Sequence, residues 1–237
     1  AYGNERMIAY LFLPEETTPP YQTAIYFPGL NAVQEGSIMD RQSFNSFNFM
    51  LKTGRAVMVP VYKGTWERND GASYDMVIPN PSYGYTEFVI KVIKDFSRSI
   101  DYLETRPDID SNKLVYFGIS WGGAFGAMIP AVEERLKAGI LCNGGLGARW
   151  GKLLPEADVF NYISRVTIPI LMLNGRYDYT FPLETSIIPM YDLLGTPEKD
   201  KLLKIYETAH YLPRNEFIKE TLNWLDRYLG PVKNPAH

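Results

Sequence analysis

The sequence predicts an α/β protein: a mostly parallel sheet with helices on both faces and no large cap domain, in a single domain over residues 1–237. Two observations predict it. Short apolar runs alternate with amphipathic segments along the whole chain, and those runs are continuous rather than alternating polar and apolar, as strands buried on both faces require. No repeat, low-complexity tract or linker interrupts the pattern. In order, strands are expected at 7–13, 23–27 and 56–61, the last reading Ala-Val-Met-Val-Pro-Val. A helix follows at 86–105, where Phe88, Val92, Phe96, Ile100 and Leu103 recur at helical spacing, with Thr86 as N-cap and Arg106-Pro107 as stop. Residues 114–117 form a short buried strand, 122–129 a helix of small residues, and 138–142 and 168–173 two more strands. A helix at 183–194 closes on Gly195-Thr196-Pro197, a last strand lies at 201–206, and a last helix at 215–229 ends at Gly230-Pro231.

Composition removes several classes of function. Net charge is −3 with the signs interspersed, so there is no basic footprint for nucleic acid. No apolar run approaches the ~18–20 residues that span a bilayer. One cysteine, Cys142, rules out an intrachain disulfide framework and a cysteine-cluster metal site, and two histidines, His210 and His237, argue against a multi-histidine zinc site. There is no P-loop and no G-x-G-x-x-G opening a helix, so no cofactor is expected. The opening Ala1-Tyr2-Gly3 carries no charged segment leading into an apolar stretch. The expectation is a cytoplasmic protein, processed or part of a longer multidomain chain, with room for self-association.

A parallel sheet places its sites at the carboxyl ends of the strands. There the strand Leu114-Val-Tyr-Phe runs into Gly118-Ile119-Ser120-Trp121-Gly122, a G-x-S-x-G between strand and helix. The serine of such an elbow sits on a strained turn, so the positions two before and two after must be small. Gly118 and Gly122 meet that need, and Gly123, Ala124, Gly126 and Ala127 let the helix approach the sheet. A serine hydroxyl needs a base. His210 is the internal histidine, three or four residues past the last strand, in Ala209-His210-Tyr211, whereas His237 ends a Pro/Asn tail. An imidazole in turn needs a carboxylate to fix its tautomer. Asp178, after the 168–173 strand in Gly175-Arg176-Tyr177-Asp178, supplies one, with Glu207 and Glu184 as fallbacks. An oxyanion hole is expected from the Trp121 N–H and from the Leu30 N–H in the turn Phe27-Pro28-Gly29-Leu30-Asn31.

The elbow, the Gly-Arg-Tyr-Asp loop and the Ala-His loop resemble those of an α/β-hydrolase, in its order of serine, acid and histidine. The layout is similar to the dienelactone-hydrolase and prolyl-oligopeptidase-like esterases, and to hydrolase domains appended to bacterial serine/threonine kinases. The resemblance runs from about Arg6 to Leu229. It departs from the family at three points. True dienelactone hydrolases use a cysteine where Ser120 stands, lipases and many hormone-sensitive-type esterases carry His-Gly-Gly where this chain has Pro28-Gly29-Leu30, and the β-propeller of prolyl oligopeptidases does not fit in this length.

What the resemblance implies is a serine carboxylesterase for a small ester, with no nucleic-acid or membrane partner. A peptidase anchored by Arg149, Arg176 or Arg214, and a module that binds without turnover, are the alternatives. Tyr62, Trp66, Trp150, Tyr177 and Phe181 are expected to line the substrate pocket, in a mostly apolar wall.

Overall fold

A computed structural model describes residues 2–38, 41–69, 71, 77–147 and 153–232. Among the described residues seven strands form one sheet: β1 (Ile8–Phe12), β2 (Tyr21–Phe27), β3 (Ala56–Val61), β4 (Ile109–Ile119), β5 (Leu136–Cys142), β6 (Ile170–Gly175) and β7 (Lys201–Tyr206). Their order is β1-β3-β2-β4-β5-β6-β7, with β1 antiparallel to β3 and every other pair parallel. The helices among the described residues include α1 (Arg41–Asn45), α2 (Asn48–Lys52), α3 (Tyr83–Glu104), α4 (Trp121–Phe125), α5 (Ile129–Val132), α6 (Ile188–Leu193) and α7 (Arg214–Leu229).

The strands bury both faces, so successive residues feed different cores. Ile25, Phe27, Leu114 and Tyr116 join one cluster with Val92, Phe96, Ile100 and Leu103 of α3. Ala24, Tyr26, Val115 and Phe117 join the other, with Phe217, Trp224 and Leu225 of α7. Each of the larger apolar side chains contributes roughly 1.5–3 kcal/mol over an exposed one, so both long helices are held by these stripes. No helix among the described residues is long and apolar enough to cross a membrane.

Several boundaries differ from expectation, with local causes. The N-cap of α3 is Ser82, whose side chain accepts from Tyr85 N–H, while Thr86 already lies inside the helix. The 122–129 segment is two short helices rather than one. Gly126 caps α4, and Pro130 starts a new helix at α5 because it has no N–H to continue the old one. Likewise Pro189 divides 183–194 into a π turn at Leu183–Ile187 and α6. Strand β6 starts two residues late because Pro169 has no ladder donor, and it runs on to Gly175 through pairing with Tyr206. That extension brings the loop carrying Asp178 level with the loop carrying His210.

Candidate active site

Between β4 and α4, Ser120 adopts φ 55° and ψ −107°, a left-handed conformation for a residue with a side chain. Such backbone costs of order 1–3 kcal/mol and persists only where its surroundings enforce it. Here they do. Ser120 N–H donates to Cys142 O at 2.8 Å, and Gly122 N–H to Pro28 O at 2.9 Å. A Cβ on Gly118 would fall 2.3 Å from Gly122 O, and one on Gly122 would fall 2.3 Å from Phe27 O. The two glycines are therefore what lets β2, β4 and α4 close around the turn.

His210, in the loop after β7, places Nε2 2.9 Å from Ser120 Oγ and Nδ1 2.7 Å from Asp178 Oδ2. Asp178 is buried, and its other oxygen accepts the Thr180 N–H at 2.8 Å and the Phe181 N–H at 3.1 Å. A carboxylate so held accepts a hydrogen bond from the imidazole Nδ1–H, leaving Nε2 as acceptor for the serine hydroxyl. Of the fallback acids, Glu207 faces elsewhere. It accepts from Arg176 Nε and Tyr177 Oη on the exposed side, and the Arg176 hydrogen bond holds its carboxyl below the usual range.

The turn after β2 lies against this group: a Cβ on Gly29 would be 3.5 Å from Ser120 Cβ. Gly29 leads into a 3-10 turn at Leu30–Val33. Neither the Leu30 nor the Trp121 N–H has a backbone acceptor among the described residues. The arrangement can move a proton from a serine to an imidazole and offer free N–H groups to an oxygen that gains charge.

Ser120 and His210 open onto a cavity of about 550 Å³. Its apolar lining includes Leu30, Ile119, Leu212 and Phe217, but Asn31, Asn45, Ser46, Asn143, Thr180 and Arg214 line it too. The wall is thus mixed rather than mostly apolar. The aromatic residues expected there lie elsewhere. Tyr62 is fully buried in the core, stacked on Phe27 at 4.2 Å with its hydroxyl donating to Tyr26 O. Trp66 is buried on the other face and donates Nε1–H to Glu35 at 3.1 Å. Tyr177 is exposed and tied to Glu207. Phe181 is buried and stacks on the His210 ring at 6.2 Å, so it backs the imidazole instead of lining the cavity. Trp150, Arg149 and His237 lie outside the described residues. Of the arginines named as anchors, Arg214 reaches the cavity and Arg176 pairs with Glu207.

The sheet order with a serine elbow after β4, an acid after β6 and a histidine after β7 defines an α/β-hydrolase. The chain belongs to the dienelactone hydrolase family, whose model matches residues 48–211. It is a hydrolase. The alpha/beta hydrolase domain-containing protein WAV2 of Arabidopsis thaliana is 30% identical where the two align, over 38% of this chain and 38% of that protein. The chain thus matches well under half the length of that relative. Among solved structures, the acetyl xylan esterase of Paenibacillus sp. R4 superposes with a TM-score of 0.68 at 17% identity, covering 94% of this chain and 79% of that one. Esterase 2 of Thermogutta terrifontis, solved phosphonylated by cyclosarin, gives a TM-score of 0.69 at 17% identity and covers 99% of this chain and 93% of that one. At these identities the likeness is one of fold.

Proposed function

We propose that the protein is a serine carboxylesterase that hydrolyses small, short-chain esters through an acyl-enzyme on Ser120. The observation that carries this is the unbroken chain from Ser120 Oγ through His210 to Asp178, at 2.9 and 2.7 Å, at the floor of a cavity. Ser120 Oγ attacks the ester carbonyl carbon while its proton passes to His210 Nε2. The carbonyl oxygen takes up the charge against the Leu30 and Trp121 N–H groups. As the tetrahedral species collapses, His210 returns the proton to the departing alkoxide. Water then attacks the acyl-enzyme by the same route, with His210 again taking and returning a proton. Asp178 stabilises the imidazolium at both stages.

Esterases among the proteins of like fold support the ester reading, and the modest, mixed-polarity cavity supports a short acyl group. The presence of Arg214 on the cavity wall favours one second reading, a peptidase that anchors a substrate carboxylate there. Hydrolysis of p-nitrophenyl esters from acetate to dodecanoate by wild type and Ser120→Ala tests the first reading. The expected result is a rate that falls with chain length and vanishes in the variant. Equal activity on an aminoacyl amide and its ester would instead favour the peptidase.

A further inference from the structure

We infer that Asn143 is a substrate-reading residue whose carboxamide takes an oxygen of the bound ester other than those of the scissile group; this rests on the esterase reading above. Asn143 is the first residue after β5 and adopts φ 51°, a left-handed conformation that asparagine tolerates better than most residues. Its backbone is fixed on both sides. Asn143 N–H donates to Leu173 O at 2.8 Å, and the next carbonyl, Gly144 O, accepts from Asn174 Nδ2 at 2.8 Å. Gly144 is also pressed on the elbow helix, where a Cβ would lie 2.4 Å from the Gly123 carbonyl carbon. The residue before it, Cys142, accepts the Ser120 N–H. Asn143 is thus held one residue from the nucleophile's own backbone anchor, on the wall of the cavity into which Ser120 opens.

Asn143 is buried, at 7% exposure, yet its Oδ1 has no hydrogen-bond partner among the described residues and is closed to solvent. Nor does Nδ2 have a partner among them, and it is not sealed as Oδ1 is, so it is the end left to the cavity. Other polar groups of the same wall are engaged: Asn31 Nδ2 donates to Glu35 Oε1, and Arg214 donates to Asn45 O and Asn48 Oδ1. An Nδ2 with no protein partner gains one when a ligand supplies an acceptor oxygen, and loses its water with no return when an alkyl group covers it. A substrate with a plain alkyl group there leaves Nδ2 unpaired. One with an ether, hydroxyl or carbonyl oxygen there completes it, and sites of this kind discriminate against the analogue that lacks the polar atom. The substrate class is therefore oxygenated esters, in which a second oxygen lies within reach of the scissile carbonyl.

Two pairs of near-isosteric esters test this. They are p-nitrophenyl methoxyacetate against p-nitrophenyl butyrate for the acyl side, and 2-methoxyethyl acetate against butyl acetate for the alcohol side. The variants are Asn143→Gly and Asn143→Asp, both of which tolerate the left-handed backbone. The quantity read is the ratio of kcat/KM within each pair. In at least one pair, both variants should lower the ratio in favour of the oxygenated ester by about tenfold relative to wild type. Ratios within twofold of wild type in both pairs would overturn the assignment. Ser120-dependent turnover of p-nitrophenyl acetate is measured alongside. If that turnover is present and the ratios do not move, the role of Asn143 fails and the esterase reading stands. If it is absent, both fail.

Discussion

Gly175 lies so close to the loop carrying His210 that a Cβ on it would fall 1.9 Å from Ala209 O and 2.5 Å from Thr208 O. The pairing of β6 with β7 runs to Gly175 and Tyr206, and beyond it Arg176 N–H donates to Tyr206 O and Tyr177 N–H to Thr208 O. The spacing between Asp178 and His210 is therefore set by backbone resting on backbone. Gly175→Ala should force the two loops apart. We expect kcat on p-nitrophenyl acetate to fall by about 10²-fold, the scale of an ångström's misplacement. Circular dichroism should show the fold retained.

Asp178→Asn keeps the shape of the acid but offers His210 an amide, which no longer selects the productive tautomer. A loss of about 10⁴ in kcat is expected. Combining it with Ser120→Ala should add little to the serine variant alone, since residues that act as a unit are not additive. In the wild type only neutral His210 can take the Ser120 proton.

Cys142 adjoins the cavity but is 1% exposed, and burial pushes its thiol well above the ordinary range. A thiol of that kind is a poor nucleophile. Ellman's reagent should leave the native protein unlabelled and fully active, with the single thiol of the sequence appearing only in denaturant. Activity lost in step with labelling of the native protein would point to a cysteine chemistry instead.

Glu35 accepts hydrogen bonds from Asn31 Nδ2 at 2.7 Å, Ser43 Oγ at 2.9 Å and Trp66 Nε1 at 3.1 Å. It ties the 3-10 turn that carries Leu30 to two other segments and acts as a positioning residue for that turn. Glu35→Ala frees the donors and should lower kcat at nearly constant KM. The ceiling is the ~10²–10³ lost with one oxyanion donor. Glu35→Gln keeps acceptors on the same stem and should recover most of the rate.

The parts of the site marked by chain punctuation were legible in the sequence. Gly118 and Gly122 bracket Ser120 because any side chain there meets backbone, and Asp178 and His210 each follow a strand end. The cavity wall was not legible. Tyr62 and Trp66 also follow a strand end, but nothing in their spacing tells which side of the sheet each enters, and both turn into the cores. Asn45, Asn143 and Arg214 come from distant segments and belong to no periodic pattern, so only the fold brings them together. For Asn143 the one signal in sequence was its place directly after a buried strand, next to Gly144.

The most direct test of Ser120 as the nucleophile is its phosphorylation by p-nitrophenyl diethyl phosphate, followed by peptide mass mapping. The account predicts a burst of one p-nitrophenol per chain, loss of esterase activity in proportion, one adduct on Ser120 and none in Ser120→Ala. Full activity after exposure, or inactivation by an adduct on another residue, would contradict it.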